Sequence, residues 1–294
     1  MIRARRLLLA LAVVAGLAGC ASSASTPGDG DSAQAIVTIQ NKGSDTLVNL
    51  ALAWAEAYMD THPEVRISVT GGGSGTGIAA MINGTVDLAN ASREMKKEEI
   101  AAAQANGNDP IEHVVARDAI AIVVNPSNPV DHLTLSQLSA IYTGKITNWR
   151  QVGGHSWPIV LLSRESNSGT YVYFLENVVR LGDSHSKLLF SPDTLLMPSS
   201  EGITVEIRQN RNAIGYDGLG YVTHDVKVIA VSSDSTSPSV MPSIESVNDG
   251  SYPISRPLFI YSAGEPVSHV RAYLDWILTE GQSQVTRLGF VPLD

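Results

Sequence analysis

Between residues 35 and 94 the chain repeats one order three times: an extended apolar run, a loop of small hydroxyl-bearing and glycine residues, then a helical run. AIVTIQ at 35–40 passes through GSDT at 43–46 into VNLALAWAEAYMDTHP at 48–63. There Leu47, Leu50, Leu52, Trp54, Ala55 and Tyr58 mostly keep helical spacing, and Pro63 marks the end. RISVT at 66–70 passes through GGGSGTG at 71–77 into a short helix, IAAMIN, that Asn83-Gly84 should terminate. TVDLANA at 85–91 reads as a strand leading through Ser92-Arg93 into a charged helix that begins at Glu94. Repeated strand, loop and helix imply an α/β fold with a mostly parallel sheet whose ligand-facing loops lie at the carboxyl ends of the strands.

AIAIVV at 119–124 is apolar throughout, as a strand buried on both faces requires, and a crossing into a second lobe is placed there. Beyond it, 133–154 reads as a helix and turn, 159–162 as a strand, and 212–222 (NAIGYDGLGYV) as a glycine-punctuated turn and strand. Residues 203–209 fit strand or helix equally. A polar loop at 232–252 is followed by a strand at 254–261 and an amphipathic closing helix at 267–278.

SRESNSGT at 163–170 shows what the loops offer. Arg164 supplies a forked donor, Ser168 and Thr170 supply hydroxyls, and Gly169 allows close backbone approach. The unpaired amides and dipole of the following helix add positive potential. Ser44-Asp45-Thr46 and Gly73-Ser74-Gly75 have the same design. Each loop alone is also a plain helix cap; three of them argue for an oxyanion site. Other uses of the glycine loop fail on spacing, since Gly77 is followed by Ile78 and Ala79 where a P-loop needs Lys then Ser/Thr, and Thr76 stands where a nucleophile elbow needs Gly. The seven histidines are scattered with no i, i+4 pair, so no metal, cofactor or triad chemistry is expected.

Arg3, Arg5 and Arg6, an apolar run at 7–17 and then LAGC ending at Cys20 read as a secretory leader, because the run is far short of the roughly 20 residues of a membrane helix. Ala18 and Gly19 before the single cysteine resemble a lipobox, so residues 1–20 are assigned to a lipoprotein signal and Cys20 to lipidation, followed by a flexible tether at 21–35. Losing three arginines from 20 basic residues leaves 17 against 29 acidic ones, a net of −12. That balance argues against nucleic acid as a partner and requires any anion site to work locally.

GSDT at 43–46, GGGSGTG at 71–77, NGTVDLANASR at 83–93, LSAIYTGKITNW at 138–149, SRESNSGT at 163–170, IGYDGLGYV at 214–222 and YPISRPLFIY at 252–261 together resemble the phosphate-binding proteins of phosphate ABC importers, which have the type II periplasmic-binding-protein fold. The resemblance implies two lobes joined by two crossover strands, lobe I being 36–122 plus 254–294 and lobe II 123–253. It implies a monomer, not an enzyme, that closes over inorganic phosphate and presents it to the permease subunits of an ABC importer. Such a protein would be extracytoplasmic and held to the membrane by lipid on Cys20. Its implied ligands are Ser44, Asp45, Thr46, Ser74, Ser92, Arg93, Arg164, Ser168, Gly169 and Thr170. Ser92 stands where many relatives carry an aspartate that accepts the anion's proton, so Asp45 is expected to take that role. Ser166 stands where many carry an acid that orients the arginine, leaving either Glu165 in that role or Arg93 acting with Arg164. Sulfate, molybdate or tungstate binding, and a hydrolase using Ser168 or Ser74, are the competing readings.

Overall fold

A computed structural model describes residues 36–293; the leader, Cys20 and the tether lie outside the described residues. The described chain forms one compact α/β unit. Each of the three repeats folds in the expected order of strand, loop and helix. β1 (Val37–Gly43) leads to α1 (Asp45–Thr61), β2 (Val65–Thr70) to α2 (Ser74–Ile82), and β3 (Leu88–Ala91) to α3 (Lys97–Ala105). α1 buries Leu47, Leu50, Ala51, Trp54, Ala55 and Tyr58 along one stripe, and the Trp54 indole donates to the Gly281 carbonyl at 2.8 Å. β1 pairs in parallel with both β2 and β3. At its end Gly43 takes φ +148° with its α-carbon against the Asn90 backbone, where any side chain would lie 2.1 Å from the Asn90 carbonyl oxygen.

The strand expected at 119–124 is the second half of β4 (Pro110–Val124). Its first half carries Glu112, His113, Arg117 and Asp118, which hide a strand from a reading based on apolar runs. That half pairs antiparallel with β10 (Ser255–Ala263), and β10 in turn pairs antiparallel with β3. The second half pairs antiparallel with β8 (Ala213–Gly218) and β9 (Lys227–Ser232). β5 (His132–Thr134) adds to β9, while β6 (Val160–Arg164) joins β8 to β7 (Leu195–Met197), all three pairings parallel. The sheet path is β2-β1-β3-β10-β4-β8-β6-β7.

α4 (Leu135–Tyr142), α5 (Gly169–Phe174) and α6 (Ser200–Gln209) follow β5, β6 and β7, and α5 runs on into a π turn at Leu175–Val179. Residues 203–209 are therefore helical. Ile203 and Ile207 share a buried face, and the Ser199 hydroxyl caps the Gly202 amide at 3.1 Å. Three corrections concern lengths, the first being that α2 begins at Ser74, inside the glycine loop, rather than at Ile78. β3 begins at Leu88 rather than Thr85, and α3 begins at Lys97 rather than Glu94 because Glu99 closes a capping box on the Lys96 amide. The loop at 232–252 contains a short α7 (Ile244–Asn248). α8 (Ser268–Leu278) and α9 (Gln282–Arg287) finish the chain.

The apolar interior lies mainly in two clusters. One joins α1 and α8 to β1, β2 and the first half of β4; the other joins α4, α5, β8 and β9 to the second half of β4 and stacks Phe174 on Tyr216 at 3.7 Å. Among the described residues no helix is long and apolar enough to cross a membrane.

Candidate functional site

The starts of α1, α2 and α5 meet. Ser44 makes no cap with its side chain; its Oγ donates to Ser92 Oγ at 3.0 Å. Ser92, at the end of β3, contacts Ser74 Oγ at 3.3 Å and donates its own amide to that oxygen at 3.0 Å. Across from them Thr46 and Thr170 share a hydroxyl hydrogen bond of 2.8 Å. Ser168 does cap, accepting the Thr170 amide at 3.2 Å, so its hydroxyl hydrogen is left to donate elsewhere. Gly169 fits so closely that an added β-carbon would stand 2.4 Å from Ser74 Oγ and 2.6 Å from Ser92 Oγ. All these residues are buried.

Fewer helix-start amides are free than the loops alone suggest. At α2 the Gly75 amide donates to Asn167 O at 3.0 Å, and those of Thr76 and Gly77 return to Gly73 O. Asn167 also donates its side-chain amide to Gly72 O at 2.9 Å, so the glycine loop is latched to the loop before α5.

Arg164 is 1% exposed. Its Nη2 donates to Asp45 Oδ2 at 3.0 Å and to Pro198 O at 3.1 Å, and its Nη1 donates to Ser200 Oγ at 2.8 Å. The orienting carboxylate is thus Asp45. Glu165, one of the two expectations for that role, is exposed, because β6 ends at Arg164 and the chain turns outward. Asp45 also accepts the Ser200 amide on Oδ2 at 2.9 Å, and Tyr221 donates to its backbone carbonyl at 2.8 Å. Arg93 is not directed to the cluster. Glu99 holds its guanidinium in a bidentate pair at 2.8 and 2.7 Å, with Glu94 O as a third partner, because Glu99 is already fixed in the α3 capping box.

Behind Arg164, Ser200 Oγ donates to Asp217 Oδ1 at 2.7 Å, and that oxygen also accepts the Gly218 amide at 2.9 Å. Burial pushes the Asp217 carboxyl up to about 7, against the pull of Arg164 and Ser200. Its ordinary value is 3.8, so between the two the folded chain holds a proton that the unfolded chain releases. This contribution stabilises the fold at low pH and is lost as pH rises through 7. Asp217→Asn is accordingly expected to flatten the thermal midpoint between about pH 5 and about pH 8. A profile as steep as that of the parent chain would place the titration elsewhere.

Asp118, Ser200, Asp217 and Arg256 are the residues that motif reading missed. Arg256 and Asp217 lie inside YPISRPLFIY and IGYDGLGYV but read there as ordinary charged positions of a strand, and Ser200 lies in a segment with no local signature of a site. The strand-end position of Asp217, in a run where all six residues of β8 are buried, was the one available signal. Neither Ser74 nor Ser168 is hydrogen-bonded to a histidine or carboxylate among the described residues.

The chain matches a family model described as the PBP superfamily domain over residues 21–280. It is 33% identical to the phosphate-binding protein PstS of Pseudomonas aeruginosa, a match covering 98% of this chain and 95% of that protein. It is 32% identical to the Bacillus subtilis PstS over 85% of this chain and 79% of that one. Among solved structures, a candidate phosphate ABC transporter substrate-binding protein from Clostridium perfringens with bound phosphate is similar. The TM-score is 0.77 at 33% identity, covering 87% of this chain and 100% of that one. With a family model matched over residues 21–280 and identities of 32–33% spread along most of the chain, the protein belongs to the PBP superfamily and is similar to the phosphate-binding proteins of Pseudomonas aeruginosa and Bacillus subtilis.

Proposed function

We propose that this chain binds inorganic phosphate at the junction of α1, α2 and α5 and delivers it to the permease of an ABC importer. One observation carries the reading. Five buried hydroxyls (Ser44, Thr46, Ser74, Ser92 and Thr170) that bond chiefly to one another converge where three helices begin, next to the buried guanidinium of Arg164. Hydroxyl-to-hydroxyl bonds are readily exchanged for stronger ones to an oxyanion, so an arriving dianion recruits several donors at once. Helix dipoles at α1 and α2 add favourable potential without net charge. That suits a chain which is acidic overall.

The ligand set is Ser44, Asp45, Thr46, Ser74, Ser92, Arg164, Ser168, Gly169 and Thr170. In this reading the segments 36–122 and 254–294 make one lobe and 123–253 the other, with β4 and β10 as the crossover strands. The bonds Thr46–Thr170, Asp45–Arg164 and Gly75–Asn167 then belong to the closed form that the permease meets. The chain acts as a monomeric binding protein rather than an enzyme, outside the cytoplasm, anchored through lipid on Cys20.

Asp45 supplies the selectivity that Ser92 cannot. Both of its side-chain bonds fall on Oδ2, and among the described residues Oδ1 makes none; in this reading Oδ1 accepts the proton that phosphate carries and sulfate lacks. Calorimetric titration of the chain lacking its first 20 residues should give tight phosphate binding and weak sulfate binding. Asp45→Asn is expected to narrow that preference by about tenfold, the worth of one charge-assisted hydrogen bond. An unchanged ratio would remove Asp45 from proton reading, and absence of phosphate heat in the parent chain would remove the function itself.

A further inference from the structure

A second guanidinium reaches the same cluster, at the Thr170 hydroxyl and the Ser92 backbone. Arg256, on β10 and 3% exposed, donates through Nη1 to the Ser92 carbonyl at 2.7 Å. Its Nη2 donates to Thr170 Oγ1 at 2.8 Å and to Asp118 Oδ2 at 3.1 Å. The position of the group is fixed from both sides. It stands 5.5 Å from the ring centre of Tyr173, whose hydroxyl donates to Ser255 O at 2.6 Å, while Asp118 is held by the Leu219 amide on its other oxygen at 3.2 Å.

A guanidinium can only donate, so the polarity of its contact with Thr170 is settled: Oγ1 accepts, and the hydroxyl hydrogen must point elsewhere. Among the described residues its other partner is the Thr46 hydroxyl; with an anion present, the hydrogen is available to an anion oxygen. Accepting a charge-assisted bond also makes a hydroxyl a stronger donor. The other arm of the fork grips the end of β3, where the Ser92 amide meets Ser74 Oγ. One side chain therefore joins the start of α5 to the strand end that carries Ser92.

We propose that Arg256 is a positioning residue of the anion site, turning the Thr170 hydroxyl into a dedicated donor and tying the start of α5 to the end of β3. Asp118 is its counter-charge, which keeps Arg256 from competing with Arg164 for the anion. This inference rests on the phosphate reading above.

The test is a double-mutant cycle on the chain lacking its leader, titrating inorganic phosphate into the parent, Arg256→Lys, Thr170→Val and the double variant. Lysine keeps the charge beside Asp118 but cannot span three acceptors with a planar fork. Arg256→Lys is expected to lower phosphate affinity about tenfold in the parent. In the Thr170→Val background the same change should cost less than about threefold, since the two residues act as one unit. Arg256→Gln combined with Asp118→Asn removes both charges together and should show the same contrast, with ligand-free thermal midpoints separating folding from binding. Equal losses in both backgrounds, or no loss in either, would make Arg256 a residue of the fold alone. A parent chain that gives no heat with phosphate would instead overturn the phosphate reading, and this inference with it.

Discussion

Arg164→Ala is expected to weaken phosphate binding by about 2 to 5 kcal/mol, the cost of leaving a desolvated anion without its charged partner. The loss has two sources. A bound dianion forfeits its buried cation and the one Nη1 hydrogen that Ser200 does not take, and the groups that now hold Arg164 turn against the ligand. Asp45 loses its guanidinium partner at 3.0 Å, and Ser200 loses the donor that fills one side of its hydroxyl while keeping its bond to Asp217. The Asp45 carboxylate, no longer neutralised by a buried cation, then faces the incoming anion. Calorimetry reads the result directly, and wild-type affinity in the variant would place the phosphate somewhere other than the junction of α1, α2 and α5. Arg164→Lys is expected to recover only part of the loss, because an ammonium cannot serve Asp45, Ser200 and an anion in one plane.

Gly169→Ala should be nearly as damaging, by a different route. The backbone conformation there is open to alanine, so strain is not the cause. Space is: the new methyl would stand 2.4 Å from Ser74 Oγ, 2.6 Å from Ser92 Oγ and 3.1 Å from Ser74 Cβ. Those atoms belong to the start of α2 and the end of β3, so the methyl pushes α5 away from two walls of the proposed anion site. A loss on the order of a hundredfold in phosphate affinity is expected, about 3 kcal/mol, within the range for inserting a methyl into a close-packed site. The ligand-free thermal midpoint should move much less than the affinity, since β6 and the body of α5 are untouched. Unchanged affinity in this variant would mean that the contact between α5 and the two serines is not part of the bound state.

Much of the architecture was legible because it is local. Each β-strand, small-residue loop and helix from residue 36 to 105 announces itself through alternation, glycine and a 3.6-residue period, and all three units occur in the order the pattern gave, with the starts of α2, β3 and α3 shifted by three or four residues. The first half of β4 was not legible, because Glu112, His113 and Asp118 break the apolar run and find partners on the neighbouring β10 in Tyr261, Ser262 and Arg256. The helix at 200–209 was ambiguous for a related reason. Its buried positions 200, 203, 204 and 207 keep helical spacing, but only Ile203 and Ile207 among them are apolar, while ITVEI at 203–207 alternates and is β-branched as a strand would be.

At the site, the sequence by itself determined which residue types stand at the helix starts, and therefore that an oxyanion is the natural guest: Ser44, Thr46, Ser74, Ser168 and Thr170 are at those positions because loops there need small hydroxyl-bearing residues. Only the tertiary structure decided how the charges are shared. Asp45 and Arg164 are 119 residues apart, Arg256 and Asp118 are 138 apart, and Arg93 is drawn off by Glu99 six positions along its own segment. A buried charge settles against the nearest partner that can neutralise it, and for Arg164 and Arg256 that partner is set by which strand ends the sheet brings side by side, which no local pattern carries.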